Sequence, residues 1–221
     1  MSATGSVLAE LVPASRSLYL VFGGIAAGIG MPPFEFYRSS AILGESRVFF
    51  RDLSQAWYHN GLDGVSTDVP GTAAYLAALV AQCRPERLYF VGNSMGGFAA
   101  FLFAHLVGRG HVIMFSPQTF ISRLKRLLHA DRRWRRQVSA AYRATRSKTR
   151  CFDLSQLERY SPQVSARVLV SEDARLDLAH ARNIARCPNV VNETRRAGGH
   201  ALVRHLRDSG ELPAILRAAG R

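Results

Sequence analysis

Acidic residues are scarce in this chain: 16 Asp and Glu stand against 29 Lys and Arg in 221 residues, a net charge of +13. Such an imbalance favours anionic partners: phosphate, nucleic acid, an anionic membrane, an acidic protein or a polyanionic glycan. Cysteine is scarcer still. Cys83, Cys151 and Cys187 are odd in number and show no CxxC spacing. That excludes a disulfide framework and a cysteine metal centre, and a reducing, cytoplasmic location is expected. The N-terminal stretch lacks a basic region followed by a long apolar run, so no secretory leader is expected. The nearest approach to a membrane span is 17–34. Gly23, Gly24, Gly28 and Gly30 interrupt it and Pro32 and Pro33 close it, which makes it a strand entering a glycine loop rather than a lipid-facing helix. GxxxxGK followed by Ser or Thr is absent. The glycines of that loop do not fit GxGxxG, and no acid follows a second strand at the distance that would hold a ribose.

What is present is a core. Hydrophobic residues make up 48% of the chain, with no composition shift that would split it, so residues 1–221 are expected to form one domain. Short apolar, β-rich runs recur: SLYLVFG, RVFFRDL, RLYFVGN, HVIMFSP, ARVLVSE and, more weakly, NVVNETR. None alternates cleanly, as strands buried on both faces of a parallel sheet do not. Helical patterns lie between them, over 33–43, 70–83, 95–107, 178–185 and 201–219. The fold class is therefore α/β: a mostly parallel sheet of about six strands with helices on both faces. There is no internal repeat.

One segment breaks the alternation. Residues 120–150 read as one long or two shorter helices without a strand. Positions 123–150 carry eleven Lys or Arg and one acid, Asp131, leaving +3 of the net charge for everything else. The charge is local. Trp134 and Tyr142 add aromatic surface, and Ile121, Leu124, Leu127 and Leu128 are apolar positions that would cover the core if the segment simply packs down.

Between a strand and an apolar helix stands Gly92-Asn93-Ser94-Met95-Gly96, a G-x-S-x-G turn in strand–turn–helix context. Such a turn is tight enough to need small residues two before and two after the serine. It lifts the serine hydroxyl above the sheet edge and aims the N-terminus of the next helix at charge developing there. A serine becomes nucleophilic only with a histidine to take its proton and a carboxylate to hold that histidine. His200, after Gly198-Gly199 and the last weak strand, sits where such a histidine must; His205 lies inside the following helix. Two acids follow ARVLVSE: Asp173, nearer the strand, and Asp177, the preferred candidate, although it could also cap the helix behind it. The oxyanion donors are the backbone N–H of Met95 and that of Gly24 or Ile25 from the early glycine loop. Trp57, Tyr58 and His59 follow the second strand and either line the pocket or pack their loop onto the sheet.

The serine turn GNSMGG, the early FGG loop and the late GGH together resemble the α/β-hydrolase superfamily, over almost the whole chain. The blocks VFGG…MPPFEF, RDLSQAWYHNGL and GGHALVRHLRDSGEL resemble a compact bacterial group of such proteins, in which the aspartate of the LD..HA block, here Asp177, fits the acid position. No pair of antiparallel strands is evident before SLYLVFG. The resemblance implies ester, thioester or amide chemistry on a small-molecule or carrier-bound acyl substrate, with no metal or organic cofactor, and makes 120–150 a helical cap. The function expected is a serine esterase or thioesterase acting through an acyl-enzyme on Ser94, with Asp177 and His200. The alternatives are an acyltransferase using the same three residues and a non-catalytic binding protein acting through the basic segment. A cap of this charge would attract an acidic substrate or an acidic carrier. No nucleic-acid motif is present.

Overall fold

The structure is a computed structural model that describes residues 5–25, 34–143 and 151–217. Seven strands form one sheet: β1 (Val7–Glu10), β2 (Ser17–Phe22), β3 (Ser46–Phe50), β4 (Arg87–Asn93), β5 (Gly110–Phe115), β6 (Val164–Ser171) and β7 (Val190–Arg195), in the order β1-β3-β2-β4-β5-β6-β7. All neighbouring pairs are parallel except β1 with β3. The sheet thus has one strand more than the sequence suggests. VLAE is four residues long, half-exposed and ends in a glutamate, so its apolar signal is too short to read as a strand.

Side-chain alternation divides the core into two layers. Leu18, Leu20 and Phe22 of β2 face one layer with Phe90, Val112 and Val168. There they meet α1 (Val69–Cys83), α2 (Met95–Val107) and α5 (Arg175–Ile184). Tyr19, Val21, Phe49, Val91, Ile113 and Leu169 face the other layer. They are covered by α6 (Leu202–Asp208), α7 (Leu212–Arg217) and the segment carrying Phe34 and Phe36. Helix α2 is buried over its whole length up to His105, as befits an all-round apolar helix laid on the middle of a sheet. Asp68 caps α1 by accepting from Gly71 N–H at 2.8 Å, with Pro70 in the first turn.

Several expected helices differ. Between 34 and 40 the chain makes turns, with Phe36 at φ 63°, and only a short 3-10 turn, Ala41–Leu43, follows; the rest of the glycine loop lies outside the described residues. The apolar residues there cover the sheet without helical periodicity. The C-terminal pattern is broken at Gly210 (φ 79°) into α6 and α7. The segment after β5 forms two helices, α3 (Arg123–Leu128) and α4 (Arg135–Arg143), and its last part, 144–150, is outside the described residues. Ile121 is buried, but Leu124, Leu127 and Leu128 are 67%, 79% and 71% exposed, so α3 does not lay its leucines on the core. Trp134 packs half-buried against the core.

Candidate active site

Serine, acid and histidine follow the carboxyl ends of the parallel strands β4, β6 and β7, on the edge where α/β sheets form their crevices. Ser94 follows β4 at φ 54°, ψ −117°, a conformation that costs a non-glycine residue on the order of 1–3 kcal/mol. Its neighbours explain why the turn must be glycine-flanked. A Cβ on Gly92 would lie 2.1 Å from Gly96 O, and one on Gly96 would lie 2.1 Å from Phe22 O. The turn is tied to the sheet by Ser94 N–H donating to Phe115 O at 2.9 Å.

Ser94 Oγ lies 3.2 Å from His200 Nε2, and His200 Nδ1 lies 2.8 Å from Asp177 Oδ2. A carboxylate can only accept, so the proton sits on Nδ1 and Nε2 is left to accept from the serine hydroxyl. Ser94 is buried and Asp177 almost fully so, whereas the His200 side chain is 35% exposed. The glycines before His200 carry positive φ, 124° at Gly198 and 54° at Gly199, which lets the loop double back over the sheet edge.

Both candidate acids take part, in different ways. Asp177 sits in the first turn of α5 rather than at its cap. Asp173 is exposed and accepts from Gly199 N–H at 3.0 Å, so it steadies the histidine loop. Burial pushes the Asp177 carboxyl up, but hydrogen bonds and charge from His200 and Arg133 outweigh it and hold the group below the usual carboxylate range. Arg133 was not singled out in the sequence. Its Nη1 donates to Asp177 Oδ1 at 2.8 Å, and its other donors reach Asp131, which in turn meets His180 Nε2 at 3.2 Å. Nothing in the local sequence distinguishes Arg133 from the arginines around it; only the lone Asp131 among them hints at a buried partner.

The expected oxyanion loop holds a surprise. Gly24 N–H is already engaged, donating to Glu35 Oε2 at 2.8 Å, while Glu35 Oε1 accepts from Asn93 Nδ2 at 2.7 Å. Burial raises the Glu35 carboxyl above its usual value, opposed by those two hydrogen bonds and by His200. Glu35 also escaped the sequence reading. Its one signal is that it is the only charge in MPPFEF, a charge set among apolar residues and proline. Met95 N–H opens α2, where no carbonyl one turn back is available to it. Ile25 is half-buried beside Gly24.

Trp57 and Tyr58 are fully buried in the core, and the Tyr58 hydroxyl donates to Gly23 O and Phe50 O. His59 stacks on Phe152 and bonds Cys151 O. These three pack the loop rather than line the crevice. His205 is exposed on α6. Among the described residues no group of three or more His, Cys, Asp or Glu could hold a metal ion, and no helix is long and apolar enough to cross a membrane.

No family model matches the sequence, and none of the curated proteins does. Solved structures do match. The capsule O-acetyltransferase of Neisseria meningitidis serogroup A superposes with a TM-score of 0.66 at 13% identity, covering 96% of this chain and 90% of that one. A mutant of the same enzyme, solved in complex with CoA, gives 0.61 at 12% identity over 93% and 89%. MenH from S. aureus gives 0.55 at 18% over 96% of both chains. A carboxylesterase from the thaumarchaeon Nitrososphaera gargenis gives 0.54 at 13% over 96% and 94%. With its sheet order, its strand–serine–helix turn and these neighbours, the chain has the α/β-hydrolase fold.

Proposed function

We propose that this protein cleaves carboxylic esters or thioesters through an acyl-enzyme on Ser94. The observation that carries the reading is the unbroken chain of contacts from Ser94 Oγ to His200 (3.2 Å) and from His200 to a buried Asp177 (2.8 Å). Ser94 Oγ attacks the acyl carbonyl while His200 Nε2 takes its proton. Asp177 holds the ring in the tautomer this requires and stabilises the imidazolium that forms. The tetrahedral oxyanion is received by Met95 N–H and by Gly24 or Ile25 N–H, for which Glu35 must yield the Gly24 amide. His200 then protonates the leaving group, and water activated by the same imidazole releases the acid. Residues 120–150 act as a cap within the one domain and bring an acidic or carrier-bound substrate to the crevice. Binding without catalysis through that segment is the rival reading, and the labelling test below separates the two.

A second reading has an observation in its favour. The O-acetyltransferase neighbour shares the fold and has been solved with CoA, and transfer needs only that an alcohol or amine, instead of water, take the acyl group from Ser94.

The test is labelling with a fluorophosphonate, followed by turnover of aryl esters and acyl thioesters of graded length. Wild type is expected to label and turn over, and Ser94→Ala to lose labelling and at least about 10³-fold in kcat. Equal labelling of the two proteins would end the proposal. Adding an alcohol acceptor and analysing products separates hydrolysis from transfer.

A further inference from the structure

The mechanism gives no role to a cleft on the basic segment itself. Helices α3 and α4 enclose a cleft of about 1070 Å³ walled by Arg123, Arg126, Arg132, Arg135, Arg143 and Tyr142. We propose that this cleft binds a phosphate-bearing small molecule, at least a diphosphate, which forms the carrier part of the acyl donor; this rests on the reading of Ser94 as acyl acceptor.

The first support is the pattern of pairing. Asp131 is the one acid in the wall, and it is turned to Arg133 and His180, with Arg126 3.9 Å away. On the same segment Lys125 pairs with Asp153, and Arg133 with Asp177. The chain therefore directs its few acids at the cations that face inward. Among the described residues Arg123, Arg132, Arg135 and Arg143 pair with no carboxylate. Guanidinium groups gathered this way around one hollow repel one another until an anion enters, and their planar donor forks suit phosphate oxygens two at a time.

The second support is shape. A hollow of this volume stands at the upper edge of small-molecule sites, which span roughly 300–1,000 Å³. Tyr142 is part of the lining, stacked on Phe152, and Arg123 lies over its ring at 4.8 Å, which holds that cation in place. The third is position. The cleft is floored by Asp131, whose partner Arg133 holds the triad acid. A carrier seated there lies on the element that supports the triad acid.

The test uses Arg132→Gln combined with Arg135→Gln, both exposed and neither in contact with the triad. Inorganic pyrophosphate is titrated calorimetrically into the full chain, into the Ser94→Ala variant and into the double variant, at low and at physiological salt. Wild type and Ser94→Ala are expected to bind alike and the double variant about tenfold or more weaker. Orthophosphate binding as tightly as pyrophosphate would show a site for a single free phosphate and overturn the carrier assignment. In kinetics, KM for acetyl-CoA as the phosphate-bearing donor is expected to rise about tenfold or more in the double variant, while kcat/KM for p-nitrophenyl acetate stays within about twofold. Absent pyrophosphate binding, binding unchanged in the double variant, or binding only of duplex DNA or anionic vesicles each overturns the proposal. Pyrophosphate binding in a protein whose Ser94 proves inert would keep the anion site and remove its link to acyl transfer.

Discussion

Two residues outside the serine, histidine and aspartate set how the site works. Glu35 accepts from Gly24 N–H, the amide assigned to the oxyanion. An ionised carboxylate is a stronger acceptor than a neutral amide oxygen, so Glu35→Gln is expected to release Gly24 more readily and raise kcat/KM for an aryl ester several-fold. Because burial raises the Glu35 carboxyl, the sign is fixed. The gain is full at pH values above that raised value, where the wild-type group is ionised, and it vanishes as pH falls through it. A pH–rate profile of both proteins checks this. A fall in activity at all pH values would mean that Glu35 holds the loop in place instead of competing with substrate. Arg133 acts through Asp177. Arg133→Gln removes a charge-assisted bond to the triad acid, worth about 1.5–3 kcal/mol, discounted because the arginine is partly exposed. A drop of about tenfold in kcat with KM for a neutral ester unchanged is the expected result, partly rescued by Arg133→Lys.

Among the elements, the serine turn was the most legible. G-x-S-x-G between an apolar strand and an apolar helix leaves few alternatives, and α2 begins and ends where its pattern does, at Met95 and Val107. The buried parallel strands were equally plain because they are apolar on both faces. What the sequence hid was of two kinds. Strand β1 and the 34–43 segment have too little periodicity to announce themselves: the first is short and half-exposed, the second packs phenylalanines through turns. Glu35, Arg133 and Asp131 reach the site through partners 11 to 58 positions away, which no local pattern carries, although Arg133 and Asp131 also pair with each other two positions apart. The glycines give a clean contrast at this scale. Gly96→Ala sets a Cβ 2.1 Å from backbone at Phe22 O, in contact with strand β2. It should destabilise by more than about 4 kcal/mol or prevent folding. Gly108→Ala, at φ 93° after the same helix with nothing within 4 Å, should cost only the left-handed backbone penalty of about 1–2 kcal/mol. Urea midpoints of the two variants, or the soluble yield of the first, decide it. Equal midpoints would show that the turn relaxes.

For the whole molecule, the balance of charge makes stability depend on acid in two stages. Burial holds His59 and His180 below the usual imidazole range and His105 down at about 4. These rings fold neutral, so the stability they allow is full above about pH 6.5, the value in the unfolded chain, and declines as pH falls below it. Against the opposing pull of burial, Asp131, Asp153 and Asp177 are held below the carboxylate range by Arg133, Lys125 and the histidines. Their contribution is present above the ordinary carboxylate value near pH 4 and is lost as pH falls through the lowered ones. Glu35, raised by burial, has the opposite sign and relieves part of the loss. Protonating the few acids also adds to a net charge already at +13, and self-repulsion grows with it. The urea midpoint should therefore be flat above about pH 7, slope downward below 6.5 and steepen below 4. Since Arg133 partners both Asp131 and Asp177, Arg133→Gln should lower the midpoint at neutral pH and flatten the steep stage, leaving the histidine stage in place. If the variant keeps the wild-type slope below pH 4, the two aspartates draw their stabilisation from groups other than Arg133, and the support assigned to the triad acid fails with it.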